Sequence, residues 1–159
     1  MYGEIRNSKN VAKTIVEERQ NEKIETSFQL KTILKKYLPN AKEHKILAQI
    51  FQAIRIEVNE ELEVLKEFLL QIPNLLNDEG RLSVIAYHSL EDRVIKDFLA
   101  VTDENISTPR NLPIKSEFLK KMFNIVAKSI KPSKDEIDLN PRSRSAKLNI
   151  LEKANEDYV

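Results

Sequence analysis

Three short stretches hold residue types that could do chemistry. The first is YHSLEDR, residues 87–93, which sets a phenol, an imidazole, a hydroxyl, two carboxylates and a guanidinium close together. It follows the apolar run RLSVIA, 81–86. Much of it has a structural explanation. Ser89 with Asp92 spells a capping box, and Glu91 and Asp92 suit the positive end of a helix dipole. That leaves Tyr87, His88 and Arg93. In open α/β sheets, ligands bind beyond the carboxyl ends of strands, which is where Tyr87 and His88 stand. His88 is then either a ligand-facing group or a hydrogen-bonded structural histidine.

The second stretch is NPRSRSAK, 140–147. In an extended segment Arg142 and Arg144 point the same way. Ser143, Ser145 and Lys147 add donors, and the whole set suits phosphate groups. The alternative is a solvated loop leading into an edge strand. The third stretch is QAIRIEVNEE, 52–61. Arg55, Glu57 and Asn59 interrupt an apolar helix there, which points to a buried polar network. A surface pair of Arg55 with Asn59 explains the spacing equally.

Composition removes several classes of chemistry. The chain has no cysteine, which excludes disulfides, thiolate zinc sites and cysteine nucleophiles. Its two histidines, His44 and His88, are far apart, so no metal site is expected. With only Gly3 and Gly80 there is no glycine-rich phosphate loop of either common kind. No apolar run approaches the roughly 18 residues of a membrane span, and the N-terminus lacks a signal-peptide pattern. A cytoplasmic protein with no membrane partner is expected. Net charge is +1, but unevenly spread. Residues 1–50 carry ten Lys and Arg against six Asp and Glu, residues 51–104 five against twelve, and residues 105–159 eleven against seven. Basic ends around an acidic middle permit a nucleic-acid partner without demanding one.

The elements that must position these residues follow from periodicity. Ser8 caps a helix over 8–20, with Val11, Ile15 and the stem of Arg19 on one side. Thr26 or Ser27 caps a second helix, SFQLKTILKKYL, closed by Pro39. Leu47, Phe51, Ile54, Val58, Leu62, Leu65, Leu69 and Ile72 form one amphipathic stripe, which Asn59 breaks into two helices. NDEG, 77–80, is a turn. RLSVIA reads as a strand buried on both faces, the kind found in parallel sheets. A helix from Ser89 turns Leu90, Val94, Ile95, Phe98 and Leu99 inward. Residues 102–113 form a loop and SEFLKKM a short helix. FNIVAKSI and AKLNILEK are strands, separated by a small helix that a Ser133–Glu136 capping box starts. A solitary parallel strand is not stable, so the chain reads as the second half of an α/β sheet.

Four blocks carry a resemblance. They are YGEIRNSKNVAKTIVEER at 2–19, FQAIRIEVNEELEVLKEFL at 51–69, GRLSVIAYHSLEDRVIKDF at 80–98 and NPRSRSAKLNILEK at 140–153. In these blocks and their order the chain resembles the bacterial 16S ribosomal RNA cytosine-N4 methyltransferases of the MraW type. Asn149 stands where that family commonly has arginine. The resemblance implies a partial S-adenosylmethionine-dependent, Rossmann-like methyltransferase sheet, closed by an antiparallel pair of last strands. Residues 1–50 would be the end of an inserted helical domain and 51–159 the later part of the sheet domain. The activity implied is methyl transfer to the exocyclic amine of a cytidine in 16S rRNA of the small ribosomal subunit.

On that resemblance His88 orients the base or relays its proton, Tyr87 stacks on the cytosine, and Asp92 completes the catalytic set. Arg93 anchors a phosphate or Asp92, while Arg142, Ser143, Arg144, Ser145 and Lys147 hold the RNA. Arg55, Glu57 and Asn59 are structural. The family's glycine-rich cofactor loop has no counterpart among these residues, so S-adenosylmethionine has no assigned ligand here. The expected partners are rRNA and either a complementary N-terminal half or a second copy. The other class to weigh is a non-catalytic RNA-binding or assembly module.

Overall fold

The computed structural model describes residues 8–35, 38, 43–102 and 122–155. The expected loop over 102–113 and helix over 116–122 lie outside them, apart from Thr102 and Met122. The chain forms two compact units, Met1–Glu61 and Leu62–Val159.

The first unit is helical. α1 spans Ser8–Asn21, α2 Ser27–Lys35 and α3 Glu43–Val58. Thr26 is the cap of α2. Its hydroxyl accepts from Gln29 N at 3.1 Å while Gln29 Oε1 accepts from Thr26 N at 2.9 Å, a reciprocal box. Leu34, Leu47 and Ile50 are buried together, with Val11, Ile15, Leu30 and Phe51 against them. The periodic stripe therefore holds at Leu47 and Phe51, but Ile54 and Val58 of the same stripe are exposed. α3 ends beside Asn59, as its sequence predicts, and Glu60 turns the chain with a φ of +52°.

The second unit is α/β. α4 (Glu61–Leu75) leads to β1 (Arg81–Ala86), α5 (Ser89–Thr102), β2 (Phe123–Ile130), α6 (Lys134–Leu139), a 3-10 helix (Pro141–Ser145) and β3 (Lys147–Lys153). The sheet order is β1-β3-β2. β3 runs antiparallel to both neighbours, so the last two strands form the expected antiparallel pair. The Ser133 cap of α6 is also as expected, its hydroxyl accepting from Glu136 N at 3.1 Å.

β1 departs from expectation. Its only described partner is β3, antiparallel, and it is not buried on both faces. Leu82 and Ala86 are buried, while Arg81, Ser83 and Ile85 on the opposite face are exposed. The reason is that both neighbouring helices supply the same core. Leu69 and Ile72 of α4 and Ile95, Phe98 and Leu99 of α5 gather on Leu82, Ala86, Phe123 and Leu151. Each such burial is worth about 1.5–3 kcal/mol. The tilted pair Phe98–Phe123, with ring centroids 5.8 Å apart, adds a geometric preference.

The turn before β1 is clasped to the end of β3. Gly80 N donates to Asn77 O at 2.9 Å, and a Cβ at Gly80 would sit 2.7 Å from that oxygen. Lys153 N donates to Gly80 O at 2.9 Å, and Lys153 O accepts from Glu79 N at 3.0 Å. β2 is irregular. Its register against β3 slips twice, between Ile125 and Ala127 and between Ala127 and Ile130. Ser129 there takes a φ of +54°.

Candidate functional site

The carboxyl end of β1 runs into α5 through Tyr87 and His88, and the predicted capping box is displaced by one residue. His88, not Ser89, is the cap. Its carbonyl accepts from Asp92 N at 3.1 Å, and its Nδ1 accepts from Glu91 N at 3.2 Å. Glu91 answers with Oε2, which accepts from His88 N at 3.2 Å and Tyr87 N at 2.7 Å. An imidazole nitrogen thus does the work of a serine hydroxyl, with Glu91 as the reciprocal acid. Because Nδ1 accepts, a neutral ring carries its proton on Nε2. Nε2 is out of solvent, 3.2 Å from Glu91 Oε1. The polar ends of His88 are therefore turned into the turn itself. Tyr87, by contrast, is 56% exposed.

Displacing the box releases Asp92 for another task. It is 5% exposed, and its Oδ2 accepts from Lys96 Nζ and Lys147 Nζ, each at 2.7 Å. Burial pushes its carboxyl up, but the hydrogen bonds and charges of Lys147 and Lys96 outweigh that and hold it below its usual value. Oδ1 is buried with no hydrogen-bond partner among the described residues. Lys147, expected to face RNA, instead ties the start of β3 to the first turns of α5. Arg93 is exposed, and Asp92 is held by the two lysines in its place.

NPRSRSAK is not extended. Pro141 opens the 3-10 helix, and Asn140 caps it by accepting from Arg142 N at 3.2 Å. Ser143 is buried, and its hydroxyl donates to Asn140 O at 2.8 Å. It is thus part of the turn and offers nothing outward. With three residues per turn, Arg142 and Arg144 diverge around the axis. Both are exposed, as is Ser145, and the segment ends where Lys147 enters its bridge to Asp92.

The third cluster forms with a different acid. Arg55 Nε and Nη2 clasp Glu61 at 2.6 and 3.0 Å, and Asn59 Nδ2 donates to Glu61 Oε1 at 3.2 Å. The Arg55 side chain is 57% exposed, so this is a surface network within residues 55–61 and not a buried one. Glu57 is exposed and contributes only its carbonyl, to Glu60 N.

One buried polar residue had no place among the candidates. Asn149 is fully buried in β3, and its Oδ1 accepts from Ser129 N at 2.9 Å, at the second slip of β2. Its signals in the sequence are an isolated asparagine within LNIL and its place where the resembled family commonly has arginine. Among the described residues no cluster of three or more His, Asp or Glu could hold a metal, and no helix is long and apolar enough to cross a membrane.

The sequence that builds these parts is matched in other proteins. Residues 1–154 match the MraW methylase family. The chain belongs to that family. Among curated relatives, the ribosomal RNA small subunit methyltransferase H of Flavobacterium psychrophilum is 49% identical over 154 residues, covering 96% of this chain and 51% of the relative. That of Christiangramia forsetii is 48% identical over 159 residues, covering 96% of this chain and 49% of the relative. A Legionella pneumophila protein of the same name is 45% identical over 153 residues, covering 96% and 50%. The chain spans about half the length of the curated relatives it matches. Its two glycines, Gly3 and Gly80, spell neither common glycine-rich phosphate loop, and Gly80 closes the 77–80 turn.

Proposed function

We propose that this chain is the acceptor side of a 16S rRNA cytosine-N4 methyltransferase. In the complete enzyme a methyl group passes from S-adenosylmethionine to a cytidine exocyclic amine. The donor site belongs to sequence beyond the residues described here. On this reading residues 1–50 are the end of an inserted helical domain and 51–159 the later part of the sheet domain; the compact units themselves divide between Glu61 and Leu62.

The observation that carries this reading is the end of β1. An exposed Tyr87 stands in a turn where its own N–H and that of His88 both donate to the Glu91 carboxylate, so the ring projects from a fixed base. A cytidine taken out of its stack gains about 1–3 kcal/mol from an aromatic platform. Such an amine is a poor nucleophile because its lone pair is delocalised, so holding it in line is the main task. Of the two roles expected from sequence, orienting the base or relaying its proton, the first is favoured, with His88 as a positioning residue. Its Nδ1 accepts from Glu91 N and its Nε2 is covered, so the ring braces Glu91, whose carboxylate takes the Tyr87 N–H. The Asp92–Lys147 bridge fixes the 3-10 helix to the same end of α5, with Arg142 and Arg144 free to meet RNA phosphates.

The test uses the chain reconstituted with the rest of a relative's sequence. Tyr87→Ala lowers methyl transfer at least tenfold, and Tyr87→Phe restores it. His88→Asn, which keeps a capping side chain, retains turnover. Arg142→Ala weakens RNA binding and reduces its salt slope by about one. A folded His88→Asn enzyme with no turnover overturns the positioning role. RNA binding without donor binding in any reconstitution favours the assembly-module class instead.

A further inference from the structure

Asp92 gathers two ammonium groups and hides its own charge from solvent. Lys96 Nζ and Lys147 Nζ each lie 2.7 Å from its Oδ2, so the two nitrogens are no more than twice that distance apart. Oδ2 takes both lysines, Oδ1 is out of solvent, and the residue is 5% exposed. The side chains of Lys96 and Lys147 are 40% and 32% exposed. An arriving ion therefore meets the ammoniums and not the carboxylate. The bridge uses one N–H of each ammonium and leaves two on each to donate outward. Like charges this close repel, and a single carboxylate offsets only one of them. The two lysines and one aspartate keep a net charge of +1, which one phosphodiester, with its single negative charge, neutralises. The nearest acids in α5 are engaged or turned aside. Glu91 Oε2 accepts from Tyr87 N and His88 N, and its Oε1 lies 3.2 Å from His88 Nε2. Asp97, next to Lys96, is about 100° away around the helix. The pair also sits at the end of the sheet that carries Tyr87. Lys147 is the cross-strand partner of Ala86, the residue before Tyr87, and it follows closely on the 3-10 helix with its exposed Arg142 and Arg144.

We propose that Lys96 and Lys147, spaced by Asp92, seat one phosphodiester of the RNA strand whose base Tyr87 receives. Phosphate contacts fix register without reading sequence, so the seat sets which base along the strand falls on Tyr87. Lys96 becomes a binding residue of the acceptor side. Its four-residue spacing from Asp92 disguises it as an ordinary surface pair on a helix. The bridge does not spend Lys147 but aims it. The inference rests on the methyltransferase reading for the identity of the strand.

The experiment titrates the 159-residue chain with a short single-stranded oligocytidylate RNA and, separately, with inorganic phosphate. Fluorescence anisotropy gives Kd and its salt slope, and carbon shifts at lysine Cε report the ammoniums. The RNA is expected to shift Lys96 and Lys147 together. Lys96→Gln should raise Kd at least threefold and lower the salt slope by about 0.7, the value for one contact to a single strand, with Tm close to wild type. Lys45→Gln, at an exposed lysine of α3, removes the same charge and should change neither. Lys147→Met should weaken binding as well, but it also loosens the fold, so Lys96→Gln decides. Equal effects of Lys96→Gln and Lys45→Gln, or lysine signals unmoved at saturation, overturn the inference. Inorganic phosphate that shifts both lysines as strongly as the RNA at equal concentration marks a free-phosphate site and overturns the RNA assignment. Methyl transfer by the reconstituted enzyme is scored separately, where Lys96→Gln should raise the KM for RNA at least threefold and leave kcat within twofold. RNA seated on the pair with no methyl transfer in any reconstitution keeps the seat and overturns the proposed function. Methyl transfer by Lys96→Gln at the wild-type KM does the reverse.

Discussion

Replacing Lys147 by methionine separates a buried ion pair from the surface charges around it. Asp92 Oδ2 is shared by Lys96 and Lys147 at equal distances, but the two bonds are not equal in effect. Lys96 lies four residues along the same helix with its side chain 40% exposed, a kind of pair worth about 0.3–0.5 kcal/mol. Lys147 comes from β3 with its side chain 32% exposed, against a carboxylate that is almost fully buried. A charge-assisted hydrogen bond of that sort contributes about 1.5–3 kcal/mol. Lys147→Met is therefore expected to lower stability by about 2 kcal/mol at pH 7. Asp92→Asn should lose a similar amount, and the double variant little more. The carboxyl of Asp92 is held below its usual value in the folded chain. Its contribution is thus fully present above the unfolded-state carboxylate pKa and is lost as pH falls through the lower folded value. Urea unfolding of the four chains near pH 7, and again near pH 3, measures both effects. The gap between wild type and Asp92→Asn should narrow in acid. A coupling below about 0.3 kcal/mol at pH 7 would refute the reasoning, since additive sites vary by that much.

Three further outcomes follow from local geometry. His88→Ala should cost about 1 kcal/mol of stability by thermal unfolding, and His88→Asn should recover most of it, because asparagine is among the best caps. Equal losses for both would show that the Nδ1 bond to Glu91 is unimportant. Thr26→Ala should cost about 1 kcal/mol through loss of the α2 cap, seen as faster amide exchange at Gln29 and Leu30. Gly80→Ala should destabilise by about 1–3 kcal/mol, because its new carbon meets a backbone oxygen that cannot rotate away. Urea unfolding within error of wild type would show that the 77–80 turn opens without cost.

The helices and strands were legible because each has a clear period or a clear cap. Val11 and Ile15, the Ser133–Glu136 box and the two last strands all stand where the pattern puts them. The misreadings have particular causes. Capping rules favour serine, so the sequence pairs Ser89 with Asp92, whereas His88 and Glu91 form the box and Asp92, also expected in the catalytic set, bridges two lysines. Alternation of Arg142 and Arg144 suggests an extended chain, but Pro141 and the Asn140 side chain wind it into a 3-10 helix. The apolar run of β1 has the composition of a strand buried twice, yet burial depends on what lies above each face. Sequence gives the composition of both faces and says nothing of which is covered. Glu61 was passed over because its partners, Arg55 and Asn59, precede it across a helix break where no helical spacing applies.

The two borders of the sheet differ in kind. β2 carries two register slips and a residue in the left-handed region, with the Asn149 amide filling one of the backbone vacancies they create. Such interruptions bend a strand and spoil its pairing pattern for any incoming chain. β1 keeps an unbroken register over all six residues. Among the described residues the sheet is therefore polar: the β1 border keeps the regular pattern that a further strand needs, and the β2 border does not. That polarity guards against stacking end to end into fibrils, since two such sheets can meet only once, open border to open border, before both are closed.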